Sequence, residues 1–139
     1  MWIKRIGVLS VLAVLVFSAA AFAAVQDFND FTLDVPDDWT ATQDGTTVGV
    51  VANDKSASVS ITVDKRGGME ARDLAAAFSQ ELKGSAPVIE DNVYTFFFNN
   101  DSGVESKAIL STDDERYFLL VITGQNPKLE ALIDSLQGK

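Results

Sequence analysis

Chemistry in this chain has to come from carboxylates, lysine and serine, because its 139 residues include no histidine and no cysteine. That removes an imidazole base, a thiolate nucleophile and the soft metal ligands. Serine or cysteine triads, zinc hydrolysis and haem or iron–sulfur ligation by those residues go with them. Ser106 and Lys107 suggest a serine–lysine couple, but neighbours on a strand point to opposite faces and cannot hydrogen-bond side chain to side chain. Carboxylates cluster at Asp37-Asp38 and at Asp113-Asp114-Glu115. General acid–base work needs one such group buried enough to raise its pKa, whereas both clusters fall at expected turns, where solvated carboxylates are ordinary composition. The residues therefore predict no enzyme, no catalytic side chain and no cofactor.

Binding chemistry leaves more candidates. Asp101, Ser102 and Glu105, with carbonyls of the 99–103 loop, offer oxygens to a hard cation such as calcium, although the spacing is not that of an EF-hand loop. Gly67-Gly68 precedes an expected helix and invites an anion, but it lacks the flanking pattern of a phosphate loop and is followed by Glu70, so breaking the chain direction is its expected role. Among aromatics, Trp39 and the run Phe96-Phe97-Phe98 stand out. Phe96 and Phe98 share a strand face with Tyr94 and Phe97 takes the other, so a second layer must cover one of them or it meets solvent. Core packing is the favoured expectation. The alternative is an exposed aromatic surface built on Trp39 and Phe97 that docks a partner or an apolar ligand, which makes a small-ligand or calcium-binding module the second expectation for function.

The elements that must hold these residues read as follows. Phe31, Leu33 and Val35 alternate with Thr32 and Asp34 before Pro36, giving a first strand, and Asp37 to Trp39 form a turn. Asp44-Gly45 marks a hairpin joining a short strand near Thr40 to one over 46–52. A turn at Asn53 to Lys55 leads to a strand over 57–64, whose apolar Val59, Ile61 and Val63 face one way and serines and threonine the other; such a strand is covered on one face and is expected towards a sheet edge. Leu74, Ala75, Phe78 and Leu82 then switch to helical spacing, with Gly84 as the stop and Ala75 to Ala77 keeping the helix thin against a sheet. A weak strand after Pro87, strands over 94–99 and 104–111, and a hairpin at 112–115 follow. Tyr117 to Ile122 is apolar on both faces and belongs in the sheet centre. Asn126-Pro127 opens a last helix as N-cap and first helical residue, with Leu129, Leu132, Ile133 and Leu136 on one face. The fold class is α+β: a mostly antiparallel sheet of about six to eight strands flanked by two helices.

The start of the chain carries an address. Lys4 and Arg5 precede the apolar run Ile6 to Phe17 and then Ala21-Phe22-Ala23, the order of a secretory signal peptide, so residues 1–23 are expected to be cleaved and residues 24–139 to form a single domain. The alternative is an uncleaved membrane anchor, since the run is about long enough to span at roughly 20 residues. Without cysteine there is no lipid attachment of the lipoprotein kind. Loss of Lys4 and Arg5 leaves 9 basic against 20 acidic side chains, a balance of −11. No basic stripe exists for nucleic acid or anionic lipid, and acidity favours a basic partner or a hard cation. The expected product is a small secreted protein, periplasmic in a cell with two membranes. Its expected partner is an envelope protein of unknown identity, with the membrane met only through the leader. Val48, Val50 and Val51 serve either a dimer interface or the core.

The segment Phe31-Thr32-Leu33-Asp34-Val35-Pro36-Asp37-Asp38-Trp39 resembles the opening strand and proline-x-x-tryptophan turn of the PsbP-like and DcrB-like proteins, and the order of elements follows theirs loosely through residues 24–139. The resemblance implies an antiparallel sheet between helices, an α/β/α sandwich, in a family whose members mostly bind other proteins or assist assembly. It carries no functional residue across, and any metal role resting on histidine in relatives does not apply to a chain that has none.

Overall fold

The computed structural model describes residues 24–139, so the leader expected at 1–23 lies outside the described residues. Ten strands and two helices follow in the order β1 (Ala24–Asp27), β2 (Phe31–Val35), β3 (Trp39–Asp44), β4 (Thr47–Ala52), β5 (Ala57–Lys65), α1 (Ala71–Glu81), β6 (Val88–Glu90), β7 (Val93–Asn99), β8 (Glu105–Thr112), β9 (Arg116–Gly124), α2 (Leu129–Asp134) and β10 (Gln137–Gly138). Seven strands make the main antiparallel sheet in the order β3-β4-β5-β9-β8-β7-β6, and β1-β2-β10 form a separate three-stranded sheet. The α+β class and the helix on each face agree with the sequence. The small sheet, which shares one face with α2, is an addition to it.

Hairpins build most of the main sheet, because the turn chemistry is local. Asp44 pairs with Thr47, leaving Gly45 and Thr46 as a two-residue loop, and Gly45 has φ of 62° while Thr46 has no positive φ, as a type II′ turn requires. The crossing from β5 to β9 is different. Those strands pair over nine residues, from Ala57 opposite Gly124 to Lys65 opposite Arg116, although α1 and three strands separate them in sequence. Here β5 corrects the expectation of an edge strand: it lies inside the sheet, between β4 and β9. Its alternation is real, with Val59, Ile61 and Val63 buried and Ser58, Ser60 and Thr62 half-buried. Alternation reports how many faces are covered, and backbone pairing on both sides leaves no trace in side-chain pattern.

Strand β9 divides the interior. Phe118 and Leu120 pack into a core with Phe31, Leu33, Val35, Val48, Val50, Val59, Ile61 and Leu132, roofed by β2 and α2. Leu119, Tyr117 and Val121 join a second core on the opposite face with Leu74, Ala75, Phe96, Ala108 and Leu110, roofed by α1. A strand apolar on both faces is therefore central, as its composition requires. The dimer alternative for Val48 and Val50 falls with their burial in the first core, at 1% and 0% exposed.

Both helix ends differ in detail from the sequence pattern. At the end of α1 the residue with positive φ is Lys83 (58°), not Gly84, with Gly84 N–H donating to Ser79 O at 2.7 Å and Lys83 N–H to Gln80 O at 3.2 Å. This pair of bonds is a Schellman cap. Gly84 serves a close approach instead: a Cβ there would lie 2.8 Å from the Phe97 carbonyl oxygen and 2.9 Å from Phe96 Cδ2. In α2, Asn126 does accept the Lys128 N–H on its Oδ1 at 2.8 Å, but 127–128 are a turn and the helix has only six residues.

Candidate interaction surface

Direct pairing puts cross-strand partners on the same face of a sheet, so two rows of residues can be followed across it. One runs Val59, Ile122, Lys107, Phe97, and the next runs Ile61, Leu120, Ile109, Thr95, Val88. Both begin under the roof of β2 and α2, where Val59 and Ile61 are 2% exposed, and both emerge from it: Ile122 and Ile109 are half-buried, Phe97 is 43% exposed and Val88 59%. The roof ends over β9. What remains uncovered on β7 and β8 is mixed: Val93, Phe97 and Ile109 are apolar, while Thr95, Asn99, Glu105, Lys107 and Ser111 are polar.

The opposite face has the same geometry and a different composition. There α1 covers β7, β8 and β9, and the uncovered half lies over β4 and β5, where Thr47, Gly49, Ser58, Ser60 and Thr62 face outward with Val51. Thr47 and Thr62 share a hydrogen bond at 2.8 Å across that pair. An uncovered sheet face made of serine and threonine is at ease in water, whereas a phenylalanine 43% exposed on an open sheet face is the unusual observation in a folded domain.

At the seam where the roof stops, two grooves open. One, of about 370 Å³, is lined by Ile122 of β9, Leu129 and Ile133 of α2, and the polar Gln125, Asn126, Glu130 and Asp134. The other, of about 310 Å³, lies further along between β10 and β8–β9, with Phe118, Leu120, Leu136 and Ser111 in its walls. Phe97 is held in place from behind. Its N–H donates to Ser85 Oγ at 3.0 Å, its carbonyl accepts from Ser85 N–H at 2.8 Å, and Ser79 Oγ donates to Ser85 O at 2.6 Å. The end of α1 thus acts as an added edge along part of β7 and fixes the backbone that presents the ring.

Of the two aromatics singled out in the sequence, only Phe97 is on the surface. Trp39 is 4% exposed inside the first core, with no hydrogen-bond partner for its Nε1 among the described residues, and as the first residue of β3 it follows the turn rather than lying in it. Its burial follows from Pro36: the Trp39 N–H donates to Pro36 O at 3.0 Å, and this tight turn folds the ring back under β2. A partner surface built on Trp39 is corrected accordingly. The favoured core role holds for Phe96, at 0% exposed, and not for Phe97. Ile109, Ile122, Leu129 and Ile133 are the surface residues that the sequence does not single out. Each sits at a core-like spacing, and nothing local distinguishes a residue under the roof from one beyond its edge.

The other candidates have structural roles. Ser106 is 1% exposed and bonded to Thr123 Oγ1 at 2.6 Å, while Lys107 is exposed on the far face, so they form no couple. Asp113 accepts backbone N–H groups from Glu115 and Arg116 at 2.9 and 2.7 Å. Those bonds, then the Arg116 guanidinium, hold its carboxyl below the usual carboxylate range, opposite to the shift a general acid needs. Arg116 also reaches Asp30 at 3.3 Å and lies over the Phe118 ring, 5.0 Å from its centroid, tying the small sheet to the β8–β9 hairpin. Asp38 pairs with Lys128 at 2.9 Å. In the 99–103 loop Asn100 Oδ1 accepts from Ser102 and Val104 N–H, both at 2.9 Å, and among the described residues no three acidic side chains gather as a metal site. Gly67 and Gly68 both take positive φ, as a chain reversal before α1 requires.

No family profile and no curated protein matches the sequence. Solved structures do match the fold. Cyanobacterial PsbP (CyanoP) from Synechocystis superposes with a TM-score of 0.57 at 10% identity, covering 91% of this chain and 98% of that one. The fold is PsbP-like. A Bacteroides thetaiotaomicron protein superposes with a TM-score of 0.51 at 17% identity over 78% of this chain, which spans 45% of the length of that structure. In this chain the opening strand and the turn from Pro36 end on Trp39 as a core residue.

Proposed function

We propose that this protein is a small non-enzymatic domain, exported across the cytoplasmic membrane, that binds another envelope protein as an accessory or assembly factor. The observation that carries the reading is the exposed Phe97 on the uncovered half-face, which shares that face with Ile109, Ile122 and Val88 among the polar Thr95 and Lys107. Burying partly exposed apolar area is worth about 25 cal/mol per Å² removed from water, and a rigid aromatic at the centre of such a patch is the usual anchor of an interface. The PsbP-like fold supports an accessory role by analogy only. The leader pattern supports export, and with it a periplasmic location in a two-membrane cell.

The test is a crosslinking pull-down from the native envelope, with the processed N-terminus read by mass spectrometry. One protein recovered reproducibly by the wild type, and lost with Phe97→Ser, is the expected result. Recovery unaffected by Phe97→Ser would refute the assigned surface. Substrate turnover lost on carboxylate substitution would refute the non-enzymatic reading.

A further inference from the structure

The seam between α2 and the uncovered half-face has a definite chemical character. Its floor is apolar, from Ile122, Leu129 and Ile133, and beyond it on the same sheet face lie Ile109 and Phe97, with Lys107 standing between Ile122 and Phe97. Its lip is acidic: Glu130 and Asp134 line the groove from α2. Glu105 lies on the same sheet face as Lys107 and Phe97, beside the Gly124 end of β9 from which the groove residue Gln125 follows. Two cations stand near. Lys128 is turned to Asp38, at 2.9 Å, and Lys107 shares its strand face with Glu105 two residues away. The local excess is negative, in a domain that is itself strongly acidic.

From this juxtaposition we infer that the seam takes a basic amphipathic segment of a partner protein, its apolar side on Ile122, Ile133 and Phe97 and its Lys or Arg side chains against Glu130, Asp134 and Glu105. The inference rests on the accessory-factor reading and names the partner's chemistry. A second copy of the chain is disfavoured by like charge, since it would bring the same acidic lip to the same acidic surface. A purely apolar occupant would leave the carboxylates facing uncharged groups and desolvated in part, which costs free energy. An amphipathic cationic strip satisfies both the floor and the lip.

The probe is a synthetic helix-forming peptide of leucine and lysine, about 18 residues and so about 27 Å long, with a leucine–glutamate peptide of the same pattern as its opposite. Binding is read by fluorescence anisotropy on the processed protein purified from envelope. The lysine peptide is expected to bind, and the glutamate peptide not. Glu130→Lys with Asp134→Lys is expected to weaken binding at least about tenfold, while Asp73→Lys with Glu81→Lys, an equal change of charge on α1, leaves it within about twofold. Phe97→Ser is expected to weaken it as well. Equal losses from the two charge reversals would mean general attraction to an acidic protein and would overturn the site. Equal binding of both peptides, or of neither, would overturn the partner chemistry. If no peptide binds but the pull-down still recovers a Phe97-dependent partner, the accessory reading stands and this inference fails alone.

Discussion

Replacing Gly84 by alanine tests how the end of α1 is joined to β7, and the size of the effect follows from the geometry. A Cβ at this position would sit 2.8 Å from the Phe97 carbonyl oxygen and 2.9 Å from Phe96 Cδ2, distances that real Cβ contacts do not show. The neighbours have little freedom to yield. The carbonyl is backbone bonded to Ser85 N–H at 2.8 Å, and Phe96 is 0% exposed in the second core. Relief requires the 84–85 segment to lift from β7, weakening the bonds of Ser85 to Phe97 and displacing the ring from its packing. Overpacking of this kind costs about 1–3 kcal/mol. Against it stands a gain of about 0.4–1 kcal/mol from the smaller entropy of the unfolded chain. The net expectation is a loss of about 1–2 kcal/mol, or a fall of several degrees in Tm.

Gly49 provides the internal control. It lies in β4 without a positive φ, and a Cβ there would meet nothing within 4 Å, so Gly49→Ala is expected to be neutral or to stabilise by up to about 1 kcal/mol. The same chemical change should therefore act in opposite directions at two sites. Urea unfolding followed by fluorescence of the buried Trp39 measures both. A Gly84→Ala protein as stable as the wild type would refute the close approach, and with it the account of how the Phe97 backbone is held.

Adjacent phenylalanines should separate cleanly by face: Phe96→Ala, at 0% exposed, is expected to cost about 3–5 kcal/mol. Phe97→Ser should cost about 1 kcal/mol or less, read by the same unfolding curves, and equal losses would contradict the burial assignments. Asp113 gives a pH test. Its carboxyl is held below the ordinary value of 3.8, so the bonds to it stabilise the fold fully above that value and the stabilisation disappears as pH falls through the lowered folded value. Asp113→Asn should accordingly lower Tm at neutral pH and lose its effect in strong acid. A deficit that is the same at both pH values would point to lost shape rather than lost charge.

The period-two and helical patterns were enough to place most elements, because each is a local consequence of which way successive side chains point. Phe31, Leu33 and Val35 buried against Thr32 and Asp34, the double-sided apolar run of β9, and the amphipathic face of α1 all follow from spacing alone. So did the opposition of Phe96 to Phe97. The candidate surface was only half legible for the same reason. The sequence states that Phe97 takes a direction opposed to Phe96, and it does not state how far a second layer extends above it.

The α+β class, the lack of imidazole and thiol side chains and the acidic balance were thus questions for the sequence alone, which answers through composition and local order, while export is the proposal that the N-terminal measurement tests. The interior position of β5 depended on tertiary structure, because it is set by pairing with β9 across an intervening helix and three strands. The burial of Trp39 depended on β2 folding over the main sheet. The exposure of Phe97 depended on where α2 and the small sheet stop. Each of these is fixed by contacts between distant segments, whose register and reach are shared properties of the packed layers and are not carried by any one stretch of residues.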